Sequence, residues 1–178
     1  MKSLFIFLIT VYFGLSFDRL NIFKYCILSS MLHEAGHITA YKLRTGKWPE
    51  IKVSLFGFTM KNNVSYGNNN IIIYAAGPIV NLLLCLFSMF LLYFGFKLKV
   101  YIFFIINAII FILNTLPVYY LDGGQILYIK SVFYQNNYKV ISVFTLIILC
   151  VTVISFTGSF VPLIIFVFYF IINLINDI

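Results

Sequence analysis

The sequence predicts an all-α membrane protein with about six transmembrane helices, and two bulk properties carry that prediction. Of the 178 residues, 62% are hydrophobic and only 10% are charged, and the mean hydropathy is +1.03. A soluble domain has about a quarter charged residues, and a globule of this length could not bury so much apolar surface. Soluble single-domain folds and intrinsic disorder are therefore excluded, and we expect residues 1–178 to form one integral membrane domain.

Apolar runs that could cross a bilayer recur along the chain. A membrane-spanning helix needs about 20 residues. The six candidate runs are residues 4–17, 22–41, 71–96, 100–121, 140–156 and 160–174. The first run follows Lys2 and also resembles a signal peptide. We expect it to be a retained span, because Phe17 and Asp18 form a poor cleavage site.

The long loop at residues 42–70 contains a strand signal, since Ile51, Val53 and Leu55 alternate with polar residues. We expect a short hairpin or loop there, after the second helix. Two roles stay open for it. It could be a structural hairpin at the membrane interface, or an edge that pairs with an extended substrate.

The basic residues predict the orientation of the chain. With six spans, eight Lys or Arg residues lie on the side of the N-terminus and four lie on the other side. Cytoplasmic loops carry the excess of positive charge, so both termini are expected in the cytoplasm. The basic residues are scattered singly between apolar runs, which argues against nucleic acid as a partner despite the net charge of +7.

Ionisable residues are scarce, and both histidines lie in the stretch His33-Glu34-Ala35-Gly36-His37 inside the second apolar run. Residues four apart share a helix face, so both imidazoles can bind one metal ion. This HExxH arrangement is typical of zinc hydrolases, where the glutamate acts as general base. Ionisable groups inside a membrane are costly and usually functional. We therefore interpret the stretch as a site for one zinc ion rather than as a packed or pore-lining histidine pair.

A catalytic zinc site needs a third protein ligand, and Asp122 is the best candidate. Asp18 and Asp177 flank apolar runs, Glu50 lies in the loop near lysines, and no cysteine lies in a metal-binding motif. Asp122 closes the fourth run, and both it and Glu34 lie eight residues before a lysine at the same end of their spans. The two acids are thus expected at similar depth. The alternative for Asp122 is a helix-ending turn, since Asp-Gly is common in turns.

Three segments, taken together, resemble the site-2 proteases, a family of intramembrane zinc metalloproteases. They are the histidine stretch, the segment Gly77-Pro78-Ile79-Val80-Asn81, which looks like the family's Gly-Pro-x-x-Asn, and Leu121-Asp122-Gly123-Gly124. The resemblance covers residues 25–130 and is greatest to the sporulation branch, stage IV sporulation protein FB. The family often has a proline just before Leu-Asp-Gly, where this chain has Tyr120.

The resemblance implies that His33, His37 and Asp122 hold the zinc ion and that Glu34 is the catalytic acid/base. It also implies a role for Asn114, whose amide could donate to the substrate carbonyl or oxyanion. The alternative for Asn114 is a bond to the backbone of its own helix. The implied activity is hydrolysis of a peptide bond in a membrane-embedded or membrane-tethered protein, near the cytoplasmic side. A sporulation sigma-factor precursor is one candidate substrate, and membrane regulatory proteins are candidate partners.

Two other functions stay open. A metal transporter or channel could use the same cluster as a transit site, and it would tolerate the loss of Glu34 better than the loss of the histidines. A membrane-anchored zinc protease that acts on soluble peptides would normally take its third ligand from a glutamate on a following helix. Glu50 is a poor match for that ligand, because it follows a proline in the loop.

Overall fold

The computed structural model describes residue 18 and residues 21–54, 57–61, 70–96 and 98–157. Within these ranges the chain divides into two compact units, one ending at Thr115 and the other beginning at Leu116. The expected spans at residues 4–17 and 160–174 lie outside the described residues. The described elements are α1 (Ile22–Thr45), β1 (Glu50–Ser54), β2 (Gly57–Lys61), α2 (Asn70–Tyr93), α3 (Leu98–Thr115), α4 (Asp122–Lys130) and α5 (Val132–Thr157).

Among the described residues, three helical segments are long and apolar enough to cross a membrane: Asn70–Tyr93, Leu98–Thr115 and Val132–Val153. Their large apolar side chains point outward, and Leu83, Phe90 and Phe144 are 57%, 58% and 64% exposed. Lipid solvates such a surface, whereas the backbone polar groups are satisfied inside the helix. The chain is therefore of the membrane-protein class that its composition predicts. Helix α1 is not among the three segments, because ionisable and hydroxyl side chains interrupt its apolar sequence.

Helix α1 has a defined start and end. Asn21 precedes it in the left-handed conformation (φ 58°), and the Asp18 carboxylate accepts a hydrogen bond of 2.9 Å from the backbone N–H of Lys24. An acid at this position also interacts favourably with the helix dipole. The helix ends at Gly46 (φ 72°), whose N–H donates to the carbonyl of Lys42. The histidine stretch lies between these two ends, in the central part of α1.

Helices α1, α2 and α3 pack against one another in the first unit. Gly36 allows α1 and α2 to approach closely: a Cβ there would lie 2.8 Å from the carbonyl oxygen of Ala76 and 2.9 Å from Cγ2 of Val80. Small residues permit such approaches between membrane helices. Among the described residues of this unit, the interior is strongly polar, and the buried polar residues are Ser29, His33, His37, Asn70, Asn81, Ser88 and Asn107.

Two short strands follow α1, in the region where the alternation of Ile51, Val53 and Leu55 predicts a strand. Strands β1 and β2 pair antiparallel, from Glu50 opposite Lys61 to Ser54 opposite Gly57. They join α1 to the chain that leads into α2.

The expected fourth span, residues 100–121, does not run as one helix to Asp122. Helix α3 ends at Thr115, residues 116–121 are not helical, and Asp122 is the first residue of α4 rather than the last residue of a span. The prediction that Asp122 closes a span was therefore wrong. Pro117 explains the break, because proline has no N–H to donate and restricts the residue before it.

In the second unit, the segment before Asp122 is held by side chains of α4 and α5. Tyr134 donates its hydroxyl to the carbonyl of Pro117 over 3.0 Å, and Ser142 accepts the backbone N–H of Tyr119 over 3.0 Å. Val118 is fully buried, and a Cβ on Gly124 would overlap its carbonyl group. The segment thus leads into the first turn of α4 along a fixed path.

Candidate metal centre

The two histidines lie on the buried face of α1. That face consists of Ser29, His33, His37 and Tyr41, which are spaced four residues apart. His33 and His37 are each only 6% exposed. Their ring centroids are 4.7 Å apart with an interplanar angle of 82°, and their Nε2 atoms are 3.1 Å apart. The helical spacing therefore brings two imidazole nitrogens to one point, as the sequence predicts.

The other ring nitrogen of each histidine faces a hydrogen-bond acceptor. Nδ1 of His37 lies 2.7 Å from the carbonyl oxygen of Ile73, and Nδ1 of His33 lies 2.5 Å from Oδ1 of Asn81. A carbonyl oxygen can only accept, so each Nδ1 carries the proton and donates it. In the neutral rings, each Nε2 then keeps its lone pair, which is the form that binds a metal ion.

The distance between the two Nε2 atoms fits a shared metal ion. Two acceptors cannot hydrogen-bond to each other, so lone pairs 3.1 Å apart repel unless a cation or a proton lies between them. Two nitrogens that each lie about 2.0–2.1 Å from a tetrahedral zinc ion are separated by roughly 3.3 Å. The separation of the two Nε2 atoms is therefore close to that of two nitrogen ligands of one zinc ion.

Asp122 is the third ligand that the sequence predicts, and it belongs to the second unit. Asp122 is half-buried at the start of α4. Two imidazoles and a carboxylate form a donor set that suits divalent transition metals. The role of Asp122 as the third ligand stays a prediction.

Gly77 of α2 makes room for the imidazoles. A Cβ at this position would lie 2.6 Å from Cε1 of His37 and 2.7 Å from Cε1 of His33. Real side chains do not make contacts that short, so any larger residue would displace a ring. The glycine of the segment Gly77-Pro78-Ile79-Val80-Asn81 is therefore required on steric grounds.

The two residues expected to act on the substrate are placed differently. Glu34 is half-buried on α1, directly after His33. The side-chain amide of Asn114 donates to the carbonyl of Ile110, one turn earlier in α3, over 3.0 Å. This is the bond to its own helix backbone that was the alternative for Asn114. Its role toward a substrate stays a prediction.

Sequence reasoning missed Asn107 and assigned no role to Asn81. Both are fully buried, and Nδ2 of Asn81 donates to Oδ1 of Asn107 over 2.9 Å. A usable signal exists, since Asn107 is a polar residue within an otherwise apolar run of isoleucine and phenylalanine. Polar groups at such positions are costly and usually paired.

No protein-family model matches the chain, and no curated protein matches it.

Proposed function

We propose that this protein is an intramembrane zinc metalloprotease of the site-2 protease type. One observation carries the proposal: Nε2 of His33 and Nε2 of His37 lie 3.1 Å apart on a helix that carries Glu34 between them. The hydrogen bonds at both Nδ1 atoms leave these nitrogens in the metal-binding form. A metal pair alone would suit several functions, but the adjacent carboxylate is what hydrolysis needs.

We assign the roles as follows. His33, His37 and Asp122 would hold the ion, and a bound zinc ion would supply Lewis-acid polarisation of the scissile carbonyl and favour ionisation of water. Glu34 accepts the proton of the attacking water and delivers it to the leaving amine. Burial of both imidazoles, each 6% exposed, limits access of bulk water to this chemistry.

The position of the histidines supports a substrate in the membrane. Their Nδ1 partners, Ile73 and Asn81, both belong to α2, one of the helices long and apolar enough to span the bilayer. The pair therefore lies beside the first half of that candidate span rather than in the loop. A helical substrate must unwind locally there, because its own hydrogen bonds shield the scissile peptide.

The proposal also covers orientation and partners. With six spans, the excess of basic residues on the side of the N-terminus favours a cytoplasmic location for both termini and for the cleavage. The substrate is a membrane-embedded or membrane-tethered protein, and a sporulation sigma-factor precursor is one candidate. Regulatory membrane proteins are candidate partners.

The test compares Glu34→Gln with Glu50→Gln, a matched change at an exposed acid of β1. Each variant is co-expressed with a panel of tagged single-span membrane proteins, and the cleavage products and the zinc content of the purified protein are measured. We expect Glu34→Gln to lose cleavage and keep zinc, while Glu50→Gln behaves as the wild type. Unimpaired cleavage by Glu34→Gln would contradict the mechanism. Zinc flux into liposomes that persists in Glu34→Gln would favour a transporter.

A further inference from the structure

We propose that Asn107 is a positioning residue that fixes the tautomer of His33 through Asn81. The proposal rests on the proposed metal role of His33 and adds a part to it. The hydrogen bonds of Asn107 go to Asn81 and to the carbonyl of Phe103, so Asn107 acts on His33 only through Asn81. Its contribution is to decide which way the amide of Asn81 points, and thereby which nitrogen of His33 carries the proton.

The direction of this chain of hydrogen bonds starts at a backbone carbonyl. The carbonyl oxygen of Phe103 lies 2.8 Å from the side-chain amide of Asn107. Because that oxygen can only accept, the NH₂ group of Asn107 must face it, and Oδ1 of Asn107 must face the other way. A rotated amide would place two oxygens against each other inside the helix bundle.

The orientation of the Asn107 amide then determines the orientation of the Asn81 amide and the protonated nitrogen of His33. Oδ1 of Asn107 lies 2.9 Å from Nδ2 of Asn81, so Asn81 must present its NH₂ group there. Oδ1 of Asn81 therefore faces Nδ1 of His33, at 2.5 Å. An oxygen at that place can bond only to a protonated Nδ1, which leaves the lone pair on Nε2.

Burial prevents the two amides from rotating to other partners. Asn81 and Asn107 are both 0% exposed, so neither amide can exchange its partner for bulk water. Without the acceptor at Asn107, the amide of Asn81 could rotate and offer its NH₂ group to His33. His33 would then carry its proton on Nε2, the nitrogen that faces His37, and could not bind an ion there.

A purely structural role is the competing explanation, since hydrogen bonds between buried amides also hold membrane helices together. The two roles differ at Asn81. An aspartate at position 81 has oxygens only, so it accepts from Nδ1 of His33 in either orientation. If Asn107 acts by orienting Asn81, the loss of Asn107 should have little effect on zinc affinity in the Asn81→Asp background. If Asn107 acts by packing, its loss should lower zinc affinity equally in both backgrounds.

The first experiment measures the tautomer directly. The chain has two histidines, so ¹⁵N-histidine labelling of chelator-treated protein gives separable ring signals, and the tautomer of each ring is read from spectra in which both rings are neutral. His37 serves as an internal reference, because its Nδ1 partner is a backbone carbonyl. We expect Asn107→Leu to move the proton of His33 toward Nε2 and to leave His37 unchanged. An unchanged His33 in a folded Asn107→Leu variant would overturn the proposal.

The matched control is Asn137→Leu. Asn137 donates to the carbonyl of Phe133, four residues earlier in its helix, over 2.9 Å. This copies the bond from Asn107 to Phe103. We expect Asn137→Leu to leave both histidine tautomers and the zinc affinity as in the wild type. If Asn107→Leu does not fold, Asn107→Ala removes the same acceptor with a smaller side chain.

The second experiment measures zinc affinity by competition with a chelator. Loss of an outer partner of a metal-binding histidine typically weakens metal affinity about 10- to 100-fold. We expect a loss in that range for Asn107→Leu, and less than about threefold when the same change is made in the Asn81→Asp background. Equal losses in both backgrounds would overturn the positioning role while leaving the metal site intact. A wild-type chain that binds no zinc would overturn the proposed function, and the tautomer measurement would still decide whether Asn107 orients Asn81.

Discussion

Nδ1 of His33 donates a hydrogen bond to Oδ1 of Asn81 over 2.5 Å, which joins α1 to a buried amide of α2 that lies 48 positions later. The bond from Nδ1 of His37 to the carbonyl of Ile73 joins the same two helices. Both imidazoles are therefore oriented by α2, a candidate span. It follows that substitutions on α2 should change metal binding without touching a metal ligand.

Asn81→Leu is the most direct test of that relationship. Leucine has a similar volume but offers no acceptor to the Nδ1–H of His33 in a fully buried position. We expect zinc affinity, measured by chelator competition, to fall about 10- to 100-fold. Asn81→Asp retains an acceptor and should lose much less affinity. A similar loss in the two variants would mean that the amide matters for packing and not for His33.

Gly77→Ala should disrupt the site by a steric route. The added methyl would lie 2.6 Å from Cε1 of His37 and 2.7 Å from Cε1 of His33, so at least one ring must move. We expect a loss of most bound zinc and a decrease of about 1–3 kcal/mol in the free energy of unfolding, as for other overpacked interiors. Zinc analysis and thermal unfolding in detergent measure both effects.

The control for Gly77→Ala is Ile79→Ala, two residues further along α2 at a side chain that is 51% exposed. This variant should keep its zinc, because no histidine contact changes. Full zinc occupancy in Gly77→Ala would show that the rings can move aside, and it would contradict the steric argument.

Gly36→Ala tests the close approach of α1 and α2. The new Cβ would meet the carbonyl oxygen of Ala76 at 2.8 Å and Cγ2 of Val80 at 2.9 Å. We expect the helices to separate, with a loss of about 1–3 kcal/mol in stability. Val80→Ala in the same chain should restore only part of it, because the contact with the backbone of Ala76 remains. Complete restoration would mean that Val80 alone sets the limit.

The part of the candidate site that could be predicted from the sequence is the part that depends on helix periodicity. The spacing of His33 and His37 places both rings on one face, and the scarcity of acids leaves Asp122 as the predicted third ligand. Periodicity could not distinguish Asn107 from Asn114, because residues seven apart lie on one stripe of a helix. Which of the two meets Asn81 depends on how α2 and α3 pack, and that is a property of the fold.

The long apolar helices could be predicted from the sequence, but the residues at which they begin and end were predicted less accurately. Composition predicts α2, α3 and α5 as candidate spans, and the structure describes all three. The short helix α4 was missed, because Asp122 followed by two glycines was interpreted as the end of a span. Pro117 is the physical cause, since it ends α3 early and leaves Asp122 to begin the next helix.

Asp122→Ala tests whether the carboxylate is the third ligand. Two imidazoles alone hold zinc weakly, because a catalytic site normally has three protein ligands. We expect zinc to fall to a small fraction of the wild-type content in the purified protein, together with a loss of cleavage. Asp18→Ala is the control: Asp18 caps α1 through the N–H of Lys24, so this change should lower stability by about 1 kcal/mol and keep the zinc. Full zinc content in Asp122→Ala would mean that another group is the third ligand, and it would favour a membrane-anchored zinc protease of a different type.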